Sequence, residues 1–161
     1  MLTELPKIEV NAVDMNSPMR TLLPAASAEV LAVLSATTEE LTGNAIATLA
    51  DDRVSQTGAN KALKRLVASG VVLARPAGSA ILYSLNRDHL AAGAVLQLAG
   101  LRTSFLHRVN EAVGGWQVAA VSVVLFGSVA RGEADLASDI DLLVIRPDGI
   151  ALDDATWERQ L

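Results

Sequence analysis

Apolar residues recur at helical spacing through the first part of the chain. The helices predicted from this pattern cover residues 22–35, 43–50 and 55–69. Thr42 and Ser55 can cap the second and third of these helices through their hydroxyl groups, and Gly70 can end the third. The sequence therefore predicts three short helices before the pattern changes.

The hydrophobic period changes after Gly70, where the helical stripe gives way to two strand-like runs. Residues 71–75 and 80–85 predict two strands, and residues 76–79 between them contain the proline and glycine that are typical of a turn. A β-hairpin is therefore predicted to follow the three helices.

A longer helix is predicted from Asp88, a possible N-cap, to Val113, after which two glycines close it. Its apolar residues fall on one face. They are Leu98, Leu101, Phe105, Val109 and Val113. This helix is expected to join the two halves of the chain and cover a sheet, and its stripe could also pair with a second copy in a homodimer.

Two apolar runs predict strands in the last third of the chain. Residues 121–126 form a β-branched run, and residues 139–144 form a second one after a break at Gly127 and Ser128. A helical first part combined with a hairpin and a later small sheet predicts the α+β fold class.

Acidic residues on the last predicted strand point to a cation site. Asp139 and Asp141 are two positions apart, so their side chains would lie on one face of the strand. Because neighbouring carboxylates repel each other, a divalent cation is the usual way to offset their charge. Gly127 would let the backbone approach a ligand closely, and Ser128 adds a hydroxyl and an N–H that suit a phosphate. Together these residues predict a Mg²⁺–triphosphate site.

Residues 127–132, Gly-Ser-Val-Ala-Arg-Gly, and residues 138–144, Ser-Asp-Ile-Asp-Leu-Leu-Val, lie in this order between apolar runs. They resemble the signature of the nucleotidyltransferase superfamily that includes DNA polymerase beta, and most of all its small prokaryotic "minimal" members. The resemblance implies that Gly127 and Ser128 bind the triphosphate of an NTP and that Arg131 has a phosphate-binding or structural role. It also implies that Asp139 and Asp141 are catalytic and hold the metal ions, Mg²⁺ or Mn²⁺.

The chain departs from this family pattern in one respect. Active members carry a third carboxylate on a later strand, and no such strand is predicted after residue 144. Asp148, Asp153 and Asp154 have the sequence context of turns or helix caps. We expect either that the sequence is a piece of a longer protein, which is the favoured interpretation, or that the catalytic site is incomplete. Turnover by these 161 residues is not expected.

Composition excludes several other kinds of site. The 161 residues are 51% hydrophobic but only 3% aromatic, so the core is expected to be aliphatic. The absence of cysteine excludes disulfides, thiol catalysis and zinc–thiolate centres. No apolar run is long enough to span a bilayer, and the N-terminus does not have the pattern of a signal peptide. A cytoplasmic location without a membrane partner is therefore expected.

Charge is distributed unevenly along the chain, although the net charge is −5. Residues 53–87 carry six basic residues and no acid, whereas the segments on either side are acidic or neutral. The third predicted helix has a polar face able to contact phosphates and base edges. Its members are Gln56, Thr57, Asn60, Lys61 and Lys64. Arg75, near the tip of the hairpin, could reach a phosphate or the minor groove.

Residues 22–86, with three predicted helices and a hairpin, resemble the winged helix-turn-helix modules of bacterial transcription regulators. The resemblance implies that the third helix reads the major groove of double-stranded DNA. A winged fold used only for protein contacts or dimerisation is the alternative. The expected organisation is an arm over 1–20, a winged helix-turn-helix over 21–87, and a linker helix with the first part of a nucleotidyltransferase domain over 88–161.

These features predict a DNA-binding protein that transfers a nucleoside monophosphate from an NTP to an acceptor hydroxyl. Two alternatives stay open. One is a transcription regulator whose nucleotidyltransferase-like part senses a nucleotide without catalysis. The other is an antitoxin-like protein whose partner is a small helical toxin, and this alternative rests on family resemblance alone.

Overall fold

The computed structural model describes residues 17–131, 140–151 and 153–161. Helices are combined there with small antiparallel sheets, so the predicted α+β fold class is confirmed. The described residues fall into two compact units, Ser17–Leu101 and Arg102–Leu161. Each unit has its own hydrophobic cluster.

The first unit contains most of the helices that the sequence predicts. They are α1 (Ala25–Ser35), α2 (Gly43–Leu49), α3 (Gln56–Ala68) and α4 (Ala92–Ala99). Thr42 Oγ1 accepts a hydrogen bond from the N–H of Ala45 at 3.2 Å, and Ser55 Oγ accepts one from Gly58 at 3.1 Å. Both predicted N-caps are therefore confirmed. Over the described part of the chain, no helix combines the length and the apolar character needed to cross a membrane.

A three-stranded antiparallel sheet completes the first unit. Its strands are β1 (Leu41–Thr42), β2 (Val72–Ala77) and β3 (Ala80–Leu85), in the order β1-β3-β2. The predicted hairpin is present, and Gly78 at its turn has a backbone φ of +61°. Strand β1 was not predicted, because two residues are too few to show an alternating pattern.

The core of the first unit is aliphatic. Its largest fully buried side chains are those of Met19, Leu34, Ile46, Leu63, Val30 and Val72. Met19 lies in a 3-10 turn, Pro18–Thr21, so the last residues of the arm predicted over 1–20 pack into this core. Residues 1–16 of that arm lie outside the described residues. Burial of Met19 alone removes enough apolar surface to contribute about 2 kcal/mol to folding.

The long helix predicted from Asp88 to Val113 is in fact two helices. Helix α4 ends at Ala99, and α5 (Leu101–Gly114) follows. Gly100 caps α4, and its N–H bonds to Leu96 O at 3.0 Å. Glycine costs about 1 kcal/mol relative to alanine inside a helix, which favours a boundary at this position. Asp88 does not start α4, and its own N–H donates to Asn86 Oδ1.

The second unit combines a two-stranded sheet with three helices in its described residues. Its elements are α5, β4 (Ser122–Phe126), α6 (Gly127–Arg131), β5 (Asp141–Ile145) and α7 (Ala155–Gln160). Strands β4 and β5 pair antiparallel, with Val124 opposite Leu143. Both predicted apolar runs are therefore strands, and the second begins at Asp141 in the described residues.

Helix α7 is tied to the loop that precedes β4. Asp154 caps the helix, because its Oδ1 accepts hydrogen bonds from the N–H groups of Thr156 and Trp157 at 2.9 Å. The buried Trp157 ring meets Trp116 edge-on, with ring centroids 6.0 Å apart. The Gln160 amide bonds to both the N–H and the carbonyl of Val118. These contacts hold the loop before β4 against α7.

Candidate functional site

A sharp backbone bend connects β4 directly to α6. The bend is made by Gly127, whose φ of +74° lies in the region that favours glycine. The Asp141 carboxylate lies directly against it. A Cβ atom added to Gly127 would clash with Asp141 Oδ2 and would lie 3.1 Å from Asp141 Cγ. Backbone conformation and available space thus both require glycine at position 127.

The register of the β4–β5 pair explains why this carboxylate meets the bend. Phe126, the last residue of β4, is paired opposite Asp141, the first residue of β5. Residues that are directly opposite in an antiparallel pair point to the same face. The face that carries Asp141 therefore also carries Phe126, Val124 and Leu143, and the last three are well exposed. The carboxylate lies at one end of a mostly apolar sheet face, which has Ser122 and Ile145 at its other end.

Val129 anchors helix α6 to its neighbours through both its side chain and its backbone. Its side chain is only 2% exposed and packs against Phe105 of α5, Leu125 of β4 and Ile140, which directly precedes Asp141. Its carbonyl oxygen accepts a hydrogen bond from Arg102 Nη2 at 3.1 Å. The helix that follows the bend is therefore anchored to the neighbouring elements of its own unit.

The structure brings together several of the predicted site residues. Gly127 and Ser128 are the first two residues of α6, Arg131 is the last described residue of that helix, and Asp141 reaches back to the bend. Asp139 lies outside the described residues. The pairing of Asp139 with Asp141 in a metal site therefore stays a prediction, as do the roles of the other residues.

The donor chemistry at the bend fits a hard divalent cation. Asp141 supplies carboxylate oxygen, the ligand type that Mg²⁺ and Mn²⁺ prefer, and Mg²⁺ sites are commonly completed by substrate phosphates and water. Within the described ranges, no three His, Asp or Glu side chains are grouped closely enough to hold a metal by themselves. Among the described residues, Asp141 is the carboxylate placed at the bend to contribute to such a site.

The comparisons with known proteins agree with this chemistry. Residues 106–159 match the family model of the nucleotidyltransferase domain. The match covers about one third of the chain, includes the bend and both predicted metal carboxylates, and supports a nucleotidyl-transfer function. No curated protein and no solved structure matches the chain. The matched segment is called the nucleotidyltransferase region below.

The predicted DNA-contacting face of α3 lies in the other unit, outside the nucleotidyltransferase region. Its five residues, Gln56, Thr57, Asn60, Lys61 and Lys64, are all exposed. Asn60 also packs towards the start of α2, because its Oδ1 lies 2.7 Å from the position of a Cβ on Gly43. The two lysines place positive charge on the exposed side of α3.

Arg75, the sixth residue predicted to contact DNA, is engaged in an ion pair. Its guanidinium binds the Glu40 carboxylate, with Nε 3.0 Å from both carboxylate oxygens and Nη2 bonded to Oε2. Hydrogen bonding from Arg75 lowers the pKa of the Glu40 carboxyl below its ordinary value. Both side chains are partly exposed, so the pair lies at the surface of the first unit.

Three residues that contact α6 or Arg75 were not identified from the sequence as candidate site residues. Arg102 and Phe105 anchor α6 of the nucleotidyltransferase region, and Glu40 pairs with Arg75. Phe105 was recognised only as part of an apolar stripe. The spacing of Arg102 and Phe105, three residues apart on a helix, shows that they share a face, but not which residue they contact.

Proposed function

We propose that the nucleotidyltransferase region binds an NTP with a divalent cation and transfers its nucleoside monophosphate to an acceptor hydroxyl, with release of pyrophosphate. One observation carries the proposal. The carboxylate of Asp141 lies against the Gly127 bend, inside the segment that matches the nucleotidyltransferase family model. The bend at Gly127 and Ser128, where we propose that the phosphates bind, thus lies next to the Asp141 carboxylate, which can bind the cation that accompanies them.

Each residue has a separate role in this proposal. The N–H and hydroxyl groups of Ser128 donate hydrogen bonds to phosphate oxygens. Gly127 has no side chain and so leaves room for the Asp141 carboxylate beside them. Asp141 and Asp139 accept the cation, and Arg131 adds positive charge near the phosphates. When bound, Mg²⁺ or Mn²⁺ neutralises negative charge on the phosphates during transfer.

Calorimetric titration of the full chain with Mg²⁺–ATP tests the nucleotide-binding part of the proposal. We expect Asp141→Asn and Asp139→Asn to weaken binding at least about tenfold, since each removes a charged ligand. Asp148→Asn is the matched control, because Asp148 lies in an exposed turn of the same unit. Equal affinity of the Asp141→Asn and Asp148→Asn variants would contradict the proposal.

A second function is favoured by the exposed face of α3. We propose that the first unit binds double-stranded DNA as a winged helix-turn-helix, with α3 in the major groove. The capped α2 and α3, the hairpin that follows them and the basic stretch over residues 53–87 support this proposal. Loss of duplex binding with rising salt is the expected signature.

The combined proposal is a DNA-binding protein with a nucleotidyltransferase region. A regulator that senses nucleotides without turnover would bind Mg²⁺–NTP and DNA but would release no pyrophosphate. An antitoxin-like protein would instead form a stable complex with a small helical partner. Pyrophosphate release would rule out a regulator without turnover, and the absence of duplex binding would rule out both DNA-binding possibilities. Sedimentation of the chain alone would reveal a homodimer.

A further inference from the structure

The contact between Arg102 and Val129 suggests a role for a residue outside the bend. Arg102 Nη2 donates to the Val129 carbonyl in a partly buried position, 27 residues away along the chain. Phe105, on the next turn of α5, packs against the side chain of the same valine. One face of α5 therefore holds both the backbone and the side chain of Val129.

Val129 connects the elements that form the proposed nucleotide site. It follows Ser128 directly, and its side chain also packs against Leu125 of β4 and Ile140, the residue before Asp141. The described part of α6 begins directly at the Gly127 bend, and most helices in proteins are stabilised by packing of one face against neighbouring elements. The contacts of Val129 therefore contribute to the orientation of α6, and with it to the direction of the Ser128 groups.

We infer that Arg102 is a positioning residue for nucleotide binding. By holding the Val129 carbonyl, it fixes the orientation of α6 in which Ser128 meets the phosphates beside Asp141. This inference rests on the proposed function of the nucleotidyltransferase region. Arginine suits the role because its planar guanidinium is always charged and loses little freedom when it forms a hydrogen bond.

A purely structural role for Arg102 predicts a different result. If the residue only stabilised the fold, its loss would lower the unfolding temperature, and the protein that stays folded would bind nucleotide with unchanged affinity. If it orients α6, folded protein would bind nucleotide more weakly. Affinity measured well below the unfolding temperature therefore separates the two roles.

The experiment compares Arg102→Met with Arg108→Met in the full chain. Both variants lose one guanidinium from α5, but Arg108 is exposed. Calorimetric titration with Mg²⁺–ATP is expected to show about tenfold weaker binding for Arg102→Met, the effect of losing a charged hydrogen bond, and little change for Arg108→Met. Arg102→Lys keeps the charge and a donor, so its affinity is expected to lie in between.

The outcomes can be told apart. Folded Arg102→Met with the affinity of Arg108→Met would overturn the inference while leaving the proposed function intact. Absence of Mg²⁺–ATP binding by the unchanged protein would overturn both. If Arg102→Met does not fold, Arg102→Lys compared with Arg108→Lys decides the question, with weaker binding supporting the inference and equal binding overturning it.

Discussion

The carboxylate of Asp141 occupies the space in which any side chain at Gly127 would have to lie. The register of β4 and β5, which pairs Phe126 with Asp141, brings the two residues together. The smallest possible side chain at position 127 would therefore displace a group that we propose to bind a cation. Stability and the proposed cation binding are therefore expected to be coupled at this contact.

Replacement of Gly127 by alanine is expected to impair both properties. The new Cβ meets Asp141 Oδ2, and the backbone φ of +74° is unfavourable for any residue with a side chain. A loss of about 1–3 kcal/mol in the free energy of unfolding is expected. Chemical denaturation measures this loss, and titration with Mg²⁺–ATP measures the accompanying loss of affinity.

Gly149→Ala is the matched control for that variant. Gly149 has a φ of +85°, but no heavy atom lies within 4 Å of a Cβ at this position. The control therefore carries the backbone cost without the clash, and it should be less destabilised and should keep its affinity. If both variants lost the same stability and neither lost affinity, the contact with Asp141 would have no consequence.

The elements around the bend could be predicted because their signals are local. The apolar run at residues 121–126, the glycine after it and the alternation that follows all lie within a short stretch of sequence. The contact between Gly127 and Asp141 depends on strand register, which a single sequence does not specify. The sequence could therefore indicate candidate residues for the site, but not that the Asp141 carboxylate fills the space beside Gly127.

Other features were missed for physical reasons of the same kind. The apolar stripe that predicts one long helix runs through Gly100, but its members divide between two hydrophobic clusters, with Leu98 in one and Phe105 in the other. The ion pair of Arg75 with Glu40 joins residues far apart in the chain. Contacts between distant residues depend on the folded arrangement, and a pattern of neighbouring residues does not reveal them.

Loss of the cap on α3 is expected to destabilise the protein. Ser55 Oγ accepts a hydrogen bond from Gly58, and Ser55→Ala leaves that N–H without its partner. A loss of about 1 kcal/mol in the free energy of unfolding is expected from chemical denaturation. Ser79→Ala, in the exposed hairpin turn, is the control and should change little. Equal stability of the two variants would show that the cap contributes nothing measurable.

DNA affinity is expected to respond differently to the loss of Lys64 and of Arg75. Lys64 is exposed on α3, so Lys64→Ala should lower the slope of log affinity against log salt by about 1. The charge of Arg75 is already offset by Glu40, so Arg75→Ala should lower the slope by less. Binding to a duplex, measured by fluorescence anisotropy at several salt concentrations, gives both slopes.

Removal of the Glu40 charge, which offsets that of Arg75, provides a further test of DNA binding by the first unit. Glu40→Gln releases Arg75 from its carboxylate partner and removes one negative charge near the hairpin. Tighter DNA binding with a steeper salt dependence is expected, because one more cation becomes available to a phosphate. A decrease in affinity would instead show that the ion pair holds the hairpin in the conformation that binds DNA.

The ion pair should also have a measurable dependence on pH. Hydrogen bonding and the positive charge of Arg75 lower the pKa of Glu40 from its ordinary value of 4.5. A carboxyl whose pKa is lower in the folded protein stabilises the fold above its unfolded pKa, and this contribution is lost as the pH falls through the folded value. The pairing is thus expected to be complete above about pH 4.5 and to disappear in more acidic solution.

Titration of the Glu40 carboxyl carbon by NMR measures this effect directly. Arg75→Ala should raise the pKa of Glu40, because the group that favours its charged form is gone. Lys64→Ala removes a positive charge from the same unit without touching this pair, so the Glu40 titration should stay as in the unchanged protein. If the two variants shifted the Glu40 titration equally, the cause would be the overall charge of the unit. A rise in Arg75→Ala alone would identify the contact with Arg75 as the cause, and would support the smaller effect of that arginine on DNA binding.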